Sequence, residues 1–343
     1  MHRLELSNKE IEDIQQLLND IVAWCHSIED ADFLRNASVY AHELPRRLRV
    51  FLNDFKLLES TGMCIISGYP INGAKIGRTP THWAARPSIS PTIREEVFFV
   101  LCGSLLGEIF GWSTQQDGHI IHDVLPIKGH EDKQISSGSE QKIWWHTEDA
   151  FHPYRGDYIG LMCLRNPDKV ATTFASIDMI QLDQKYVKVL YEPRFVIHPD
   201  ESHLEQARSN MQIDPVNSND LLRSAHERIL QMNSKSHKVP IFFGDLQSPY
   251  LCLDPYFMDL LIIDDEARCA LEALIRSIDA KLSDIVLQPG DCCFIDNYRA
   301  VHGRNPFTAR YDGYDRWLKR LNITRDLRKS RELRLTGASR VIF

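Results

Sequence analysis

The sequence predicts an α+β protein whose core is mainly β and is flanked by helices. Two observations carry this prediction. Residues 1–110 show helical periodicity, and after residue 111 short β-like runs recur at a spacing typical of a β-sandwich or barrel. The chain has 343 residues, of which 43% are hydrophobic, and it shows no internal repeat or low-complexity linker. We therefore expect a single domain that spans residues 1–343.

The N-terminal flanking region is expected to contain helices and one strand. Residues 7–25 form an amphipathic helix that Ser7 caps, and Glu10 completes a capping box. A second helical pattern covers about 43–59, and "GMCIISGYPI" is a short strand that ends in turn residues. The stretch from about 90 to 110 opens on a Ser-Pro helix start and is apolar enough to be well buried.

The predicted β core spans residues 111–200 and 239–330 and is interrupted by two helical segments. Residues 201–238 are polar and lack a strong apolar face, so we expect a helical insertion that lies over the core as a lid. Residues 256–281 are apolar at helical spacing and are expected to pack on the sheet. The β-like runs are "HIIHDVLP", "KIWWHTE", "DYIGLMCLR", "ATTFASI", "RFVIH", "PIFFGD", "YLCLD", "DIVLQ", "CCFIDN" and "RWLKRLNIT".

Composition and charge narrow the class of protein. The formal net charge of −7 is mild and argues against broad binding to the phosphates of nucleic acids. The eight cysteines show no CxxC spacing and most lie in apolar runs, which favours reduced, buried thiols over a disulfide or zinc framework. No window is long and apolar enough to span a bilayer, and the N-terminus has no secretory pattern. We expect a cytoplasmic protein without nucleic-acid or membrane partners.

The stretch "WWHTEDAFHP" places a histidine and a glutamate two positions apart at the end of a predicted strand. Residues i and i+2 of a strand point to the same face, so His146 and Glu148 are expected to direct an imidazole and a carboxylate to one point. An ordinary polar turn would give the same pattern. Far along the chain, "QPGD" is a turn signal before the strand "CCFIDN", and His302 follows where that strand should end. Two histidines and a carboxylate form a facial triad, the ligand set of non-haem Fe(II) oxygenases.

In these motifs the sequence resembles the Fe(II)- and 2-oxoglutarate-dependent oxygenases of the clavaminate synthase-like family. The resemblance covers roughly residues 110–326 and rests on "HTEDAFHP", "ATTFAS", "QPGD…FIDN…VHGR" and on Arg316, which lies 14 residues after His302. It implies a double-stranded β-helix (jelly roll) core, Fe(II) as the metal, and 2-oxoglutarate and O₂ as co-substrates. It also implies that His146, Glu148 and His302 are the catalytic iron ligands, and it suggests a homodimer.

The resemblance extends to the co-substrate site. Arg316 matches the residue that pairs with the distal carboxylate of 2-oxoglutarate, which a guanidinium meets with two parallel hydrogen bonds. Thr172 or Thr173, in "ATTFAS", is expected to add a hydroxyl to the same carboxylate. Related halogenases replace the carboxylate ligand by a small residue, so the presence of Glu148 predicts hydroxylation of an unactivated C–H bond.

Within this family the sequence is most similar to hydroxylases of free amino acids, notably those of lysine and arginine. Gln115 or Gln116 matches a position that bonds the α-amino or carboxylate end of the substrate, and Ser136 lies in a polar turn suited to the same role. Arg320 follows Arg316 by four residues, which places both on one face of a strand. Arg320 is therefore expected to offer a second cation to the substrate α-carboxylate.

The residues expected to meet the substrate side chain favour L-lysine. Asp254, in "YLCLDPYF", matches an acidic position that arginine hydroxylases use against the guanidinium. Those enzymes are expected to carry a second acid two positions later, where this chain has Tyr256. One carboxylate and a tyrosine suit a compact ammonium better than a planar guanidinium, which prefers bidentate partners. The sequence thus predicts hydroxylation of L-lysine at C3 or C4, with L-arginine and citrulline as alternatives.

Other functions stay open on sequence grounds. The same iron and co-substrate site could act on asparagine, a cyclised arginine derivative or a carrier-tethered amino acid. Desaturation and epimerisation are alternative reactions, because they share the first chemical step with hydroxylation. A zinc hydrolase would also use two histidines and a carboxylate, but it would not need Arg316. A non-catalytic jelly-roll binding protein would have no reason to retain the triad.

Overall fold

The structure is a computed structural model that describes residues 2–87, 89–204, 220–235, 237–260 and 262–343. Helices flank two β-sheets, in agreement with the predicted α+β class. The described residues form the α-helices α1 (Asn8–Val22), α2 (Ala31–Ala41), α3 (Arg46–Leu58), α4 (Gly73–Ile76), α5 (Ile93–Ser104), α6 (Gln184–Leu190), α7 (Asp220–Ser234) and α8 (Asp265–Asp279). Short 3-10 helices cover Gln116–Gly118, Ile177–Met179, Pro255–Phe257 and Leu327–Leu333.

The strands form a large sheet, a small sheet and a hairpin. They are β1 (His2–Glu5), β2 (Met63–Ser67), β3 (Glu108–Trp112), β4 (Ile121–Val124), β5 (Ile143–His146), β6 (Tyr158–Arg165), β7 (Thr172–Ser176), β8 (Phe242–Gly244), β9 (Pro249–Leu251), β10 (Ser283–Ile285), β11 (Cys292–Asp296), β12 (Ala300–Arg304), β13 (Trp317–Thr324) and β14 (Val341–Ile342). The large sheet has the order β1-β2-β11-β6-β13-β3-β14, with β4 also paired to β13. The small sheet has the order β10-β7-β12-β5, and β8 pairs with β9. Pairing is antiparallel except between β1 and β2 and between β3 and β14.

Two hydrophobic clusters explain how the layers hold together. Side chains of both sheets meet in one cluster, to which Ile159 and Leu318 contribute from the large sheet and Phe174 from the small one. A second cluster packs α1, α2, α3 and α5 against the large sheet, and it joins Phe33 of α2 to Phe294 of β11. Because the N-terminal helices share their core with the sheet, burial of apolar area ties both parts of the chain together.

The N-terminal region follows the predicted pattern, except that β1, α2 and α4 were not predicted and the helix predicted at about 90–110 ends earlier. The capping box of α1 forms, since the Ser7 hydroxyl accepts a hydrogen bond from the Glu10 N–H and the Glu10 carboxylate accepts one from the Ser7 N–H. The sequence reasoning missed α2. The helix predicted at about 90–110 ends at Ser104 and is followed by β3. Between them, Gly107 allows the chain to approach β13 closely, because a Cβ there would lie 2.4 Å from the Thr324 carbonyl oxygen.

His302 lies within strand β12, which the sequence analysis did not predict, although β11 ends before His302 as expected. After β11 the chain reverses at residues 297–299 and returns as β12 in the small sheet. There His302 lies directly opposite His146 of β5 and opposite Phe174 of β7. The sequence of this turn, "NYR", contains neither glycine nor proline, so turn chemistry alone did not reveal the reversal.

The two predicted helical interruptions are both partly described. Residues 205–219 of the lid predicted at 201–238 lie outside the described residues, while α7 forms its later part. The helix predicted at 256–281 corresponds to α8, which starts later because Asp264 caps it. The run "RFVIH" forms two isolated bridges and no strand. Within the described ranges, no helix has the length and apolar character needed to cross a membrane.

Candidate active site

Two imidazoles and a carboxylate converge on one point beside the small sheet. His146 ends β5, Glu148 follows two residues later, and His302 lies opposite His146 on β12. The Nε2 atoms of His146 and His302 lie 3.6 and 3.4 Å from Oε2 of Glu148. All three ligand atoms lie within 4.8 Å of one another. One metal ion could therefore contact them all at roughly 2.0–2.2 Å, so the donor set fits a metal.

Hydrogen bonds and charge prepare these three side chains for a cation. Nδ1 of His146 donates to the Trp144 carbonyl at 2.8 Å, which leaves Nε2 to face Glu148. Burial lowers the pKa of His146, but the hydrogen bond to Glu148 and the charge of Asp254 outweigh burial and raise this pKa to about 9. Burial raises the pKa of Glu148, but Arg320 and both imidazoles hold it well below its ordinary value. The site thus favours a negative carboxylate facing a positive charge, the place that a metal ion would take.

The main chain at Glu148 is held by Asn297, a residue that sequence reasoning assigned no role. The Asn297 side chain is fully buried, and its oxygen accepts a hydrogen bond of 2.7 Å from the Glu148 N–H. Its amide donates to the carbonyls of Glu148 and Gly156 at 2.9 Å each. These bonds fasten the turn that carries Glu148 to the turn that leads into the strand of His302. The asparagine of the "FIDN" motif was the only sequence signal for this clamp.

Replacing Asn297 by alanine is expected to lower the free energy of unfolding by about 2–4 kcal/mol, because one buried N–H and two buried carbonyls lose their partners. Urea denaturation measures this change. Asn305→Ala serves as the matched control, since its amide makes one exposed hydrogen bond to Asp284 and its loss should cost less than about 0.5 kcal/mol. Equal free energies of unfolding of the two variants would contradict the proposed role of Asn297 in holding the two turns together.

Asp149 anchors the turn after β5 through its side chain. It adopts a left-handed backbone conformation with φ of +50°. Its carboxylate accepts a hydrogen bond of 2.6 Å from Trp112 Nε1 and lies 3.1 Å from Nε2 of the fully buried His203. Nδ1 of His203 lies 2.6 Å from the Thr114 hydroxyl. These hydrogen bonds link the turn that carries Glu148 to His203, which lies at the start of the lid predicted at 201–238.

Arg320 borders the same site and contacts the carboxylate of the triad. Its NH1 donates to Oε1 of Glu148, and its NH2 donates to Gln115 Oε1 at 2.9 Å and to His122 Nδ1 at 2.8 Å. The predicted second inward cation is therefore present, and it is already bonded to three protein groups. His122, which was not among the predicted site residues, lies against Arg320.

Arg316 is a buried cation that has no counter-charge within the part of the chain that the structure describes. Its exposed fraction is 5%, and no described acidic side chain forms an ion pair with it. Nε also has no hydrogen-bond partner there. Burial lowers the pKa of Arg316 to about 10, so the side chain remains charged at neutral pH. Burying such a charge is costly unless an anion compensates it, which fits a site for a carboxylate ligand.

A cavity of about 400 Å³ connects the triad with both arginines. Small-molecule sites typically enclose roughly 300–1,000 Å³. Thr172 borders this cavity, whereas Thr173 is absent from its wall, as expected from the alternation of side chains along β7. Ser136 also borders it. The structure therefore brings the predicted co-substrate and substrate positions to one continuous space.

The two glutamines differ in their contacts. The Gln115 amide bridges Arg320 and Ser202, and it donates to the Ser202 hydroxyl at 2.8 Å. The Gln116 amide instead bonds the main chain of Asp123, donating to its carbonyl at 2.9 Å and accepting from its N–H at 3.0 Å. Both border the cavity, but only Gln115 is joined to a residue that contacts the triad.

The acidic residue predicted to meet the substrate side chain is joined at the cavity wall by a second carboxylate that the sequence analysis did not name. Asp254 lies there together with Asp200, which is 54 residues earlier in the chain. Burial and the charge of Asp200 raise the pKa of Asp254 to about 6, against an opposing effect of His146. Among the described residues, neither carboxylate forms an ion pair with a lysine or arginine. Tyr256, by contrast, is 47% exposed.

A family model matches this chain. Residues 94–322, more than half of the sequence, match the family described as "Taurine catabolism dioxygenase TauD, TfdA family". The chain belongs to this family of dioxygenases. The predicted class, an Fe(II)- and 2-oxoglutarate-dependent oxygenase, is thereby confirmed, together with the Fe(II), 2-oxoglutarate and O₂ that this class uses.

Individual relatives share the whole length of the chain. It is 46% identical over 345 residues to an L-ornithine/L-arginine 3-hydroxylase of Catenulispora acidiphila. It is 42% identical over 343 residues to an enduracididine beta-hydroxylase of Streptomyces hygroscopicus. Both matches cover 100% of this chain and 100% of the relative. An L-lysine 3-hydroxylase of Catenulispora acidiphila is 28% identical over 336 residues, which cover 96% of this chain and 86% of that protein. The crystal structure of the non-heme iron oxygenase OrfP with Fe, succinate and (3S)-hydroxy-L-Arg matches at a TM-score of 0.92 and 41% identity, and covers 100% of both chains.

Proposed function

We propose that this protein hydroxylates an unactivated C–H bond of a free basic L-amino acid, and that L-arginine or L-ornithine is favoured over L-lysine. The observation that carries the proposal is the presence in one cavity of the triad and of the buried Arg316, which forms no ion pair with any described side chain. The triad offers a metal its ligands, and the arginine offers an organic anion its counter-charge. A zinc hydrolase would account for the first feature and leave the second without a purpose.

Each part of the cavity has a role in this proposal. His146, Glu148 and His302 hold Fe(II), while Arg316 pairs with the distal carboxylate of 2-oxoglutarate and Thr172 adds a hydroxyl. When bound, iron and 2-oxoglutarate supply the oxidising chemistry that converts 2-oxoglutarate and O₂ to succinate and CO₂ and places one oxygen atom on the substrate. The protein's part is to orient the reactants and to exclude water from the site.

The substrate is held at both of its ends. Gln115, Ser136 and Arg320 are proposed to bind the α-amino and α-carboxylate groups, because all three border the cavity near the triad. Asp254 and Asp200 are proposed to face the basic side chain. Two carboxylates suit a guanidinium, which is planar and offers five N–H donors, at least as well as they suit an ammonium.

The preference for L-lysine derived from the sequence has less support than its alternative. It assumed that a tyrosine stands in for the second acid, whereas Asp200 borders the cavity beside Tyr256 and offers a second carboxylate. The relatives at 46% and 42% identity are named for ornithine, arginine and enduracididine, and the lysine hydroxylase is 28% identical. The same chemistry on citrulline or on a carrier-tethered amino acid is the next candidate.

Turnover of a panel of amino acids tests this proposal directly. Protein loaded with Fe(II) under anaerobic conditions is mixed with 2-oxoglutarate, air and L-arginine, L-ornithine, L-lysine or L-citrulline. We expect a gain of one oxygen atom on arginine or ornithine, coupled to succinate release. The kcat/KM for the better of these two should exceed that for lysine by about tenfold or more, which corresponds to about 1.4 kcal/mol of discrimination.

Each alternative has its own outcome in that experiment. Faster turnover of lysine than of arginine and ornithine would restore the lysine prediction. Efficient turnover of citrulline, which has the shape of arginine without its charge, would remove the acidic pair from recognition. Absence of succinate with every free amino acid would point to a tethered substrate.

The remaining sequence predictions concern organisation. We propose that the two facing sheets form a double-stranded β-helix, and that residues 1–343 act as one oxygenase domain whose segment 201–238 closes over the substrate. The predicted homodimer, the cytoplasmic location and the lack of nucleic-acid partners stay predictions.

A further inference from the structure

His122 lies directly opposite Arg320 in the large sheet. It belongs to β4, which pairs antiparallel with β13, and the two residues are register partners. Side chains of register partners project from the same face and lie close enough to interact. His122 is 2% exposed and borders the cavity, so its ring is held inside the protein beside the arginine.

The hydrogen bonds of His122 define its tautomer. Nε2 lies 2.9 Å from the carbonyl oxygen of His119, which only accepts, so Nε2 carries the proton. Nδ1 is therefore the acceptor for Arg320 NH2 at 2.8 Å. Burial, together with the charges of Arg320 and Arg86, lowers the pKa of His122 well below its ordinary value, and Glu148 opposes this only in part. A neutral ring is the form that can accept from a guanidinium.

Fixing Arg320 has a consequence for the triad. The two N–H groups of its NH2 are taken by His122 and Gln115, which sets the plane of the guanidinium. In that plane NH1 donates to Oε1 of Glu148, and only Oε2 of that carboxylate faces His146 and His302. A carboxylate that binds a metal through both oxygens would occupy one of the three positions that a facial triad leaves open.

We propose that His122 is a positioning residue: it holds Arg320 so that Glu148 presents a single oxygen to the metal and three positions stay available for 2-oxoglutarate and O₂. This inference rests on the proposed function. His122 does not touch the reacting atoms, and it acts through Arg320 alone. No local pattern indicates this role, because His122 lies 26 residues before Glu148 and 198 before Arg320.

The test compares a variant that loses the acceptor with one that keeps it. His122→Leu removes Nδ1, whereas His122→Asn places a side-chain oxygen near the same position. Isothermal titration of 2-oxoglutarate into the Mn(II)-loaded proteins measures co-substrate affinity without turnover. We expect the leucine variant to raise the Kd about tenfold or more, as loss of a partner that orients a metal ligand typically does, and the asparagine variant to stay within about threefold of the original.

Independent measurements separate positioning from a merely structural role. His226→Leu, a buried histidine of α7 far from Arg320 in the hydrogen-bond network, should leave the Kd unchanged. Equal affinities of the original and leucine proteins, or equally weak binding by the leucine and asparagine variants, would overturn the inference. Nitrogen-15 NMR of the metal-free protein should show Nε2 protonated and Nδ1 bare at pH 7, and the reverse tautomer would overturn it even if the leucine variant does not fold. Failure of the original Mn(II)-loaded protein to bind 2-oxoglutarate would instead reject the proposed function.

Discussion

Glu148→Ala is expected to abolish both iron retention and succinate formation. Two imidazoles remain in that variant, and the Arg320 guanidinium, which loses its carboxylate partner, adds an uncompensated positive charge beside them. Loss of a partner that only orients a ligand commonly costs 10–100-fold, so loss of the ligand itself should cost more than about 100-fold in activity. Iron content after anaerobic loading and desalting, measured with succinate release in the presence of L-arginine, gives the two readouts.

The control for this variant is another glutamate in the same stretch of chain. Glu140 is exposed and lies in the turn before β5, outside the cavity. Glu140→Ala should retain iron and activity within about twofold, as expected for a surface change. If Glu148→Ala still bound stoichiometric iron and still formed succinate at a comparable rate, the triad would not be the iron site.

Arg316→Met is expected to change stability and co-substrate binding in opposite directions. Removing an unpaired buried charge should raise the free energy of unfolding of the ligand-free protein by about 1–3 kcal/mol. The same change removes the counter-charge of 2-oxoglutarate, which should cost about 2–5 kcal/mol and raise its KM roughly 30-fold or more. If Arg316 had a purely structural role, its replacement would lower the free energy of unfolding. The sign of this change therefore distinguishes a structural role from a ligand-binding role.

Thermal unfolding with and without 2-oxoglutarate, in the presence of Mn(II), measures both effects. A bound ligand stabilises the original protein by about 2.7 kcal/mol at one hundred times its Kd, and this increment should vanish in Arg316→Met. Arg310→Met is the matched control, because Arg310 forms exposed ion pairs with Asp168 and Asp312 and its loss should cost less than about 1 kcal/mol. An unchanged KM for 2-oxoglutarate in Arg316→Met would place the co-substrate elsewhere.

Local patterns in the sequence were enough to predict much of the fold. The capping box of α1 and the apolar runs of β2, β6 and β11 depend on residues close together in the chain, and each formed as predicted. Among the elements that were not predicted, strand β12 lacks such signals, whereas α2 has one, because the Asp30 side chain accepts hydrogen bonds from the N–H groups of Asp32 and Phe33. Strand β12 follows a turn without glycine or proline, and only its pairing with β5 and β7 defines it.

By itself, the sequence determined the class of protein and predicted which residues carry its chemistry. His146 and Glu148 are two positions apart on one short segment, so their meeting needs only the alternation of a strand. The tertiary structure decided which side chains share the cavity, since Thr172 borders it and Thr173 does not, and since His122 and Asp200 border it as well. It also gave Gln115 and Gln116 different partners and placed Asn297 against the main chain of Glu148. Those choices depend on strand register and on contacts between distant segments. A slip of one residue in register would turn every side chain of a strand to the other face, and short-range patterns do not specify which segments become neighbours.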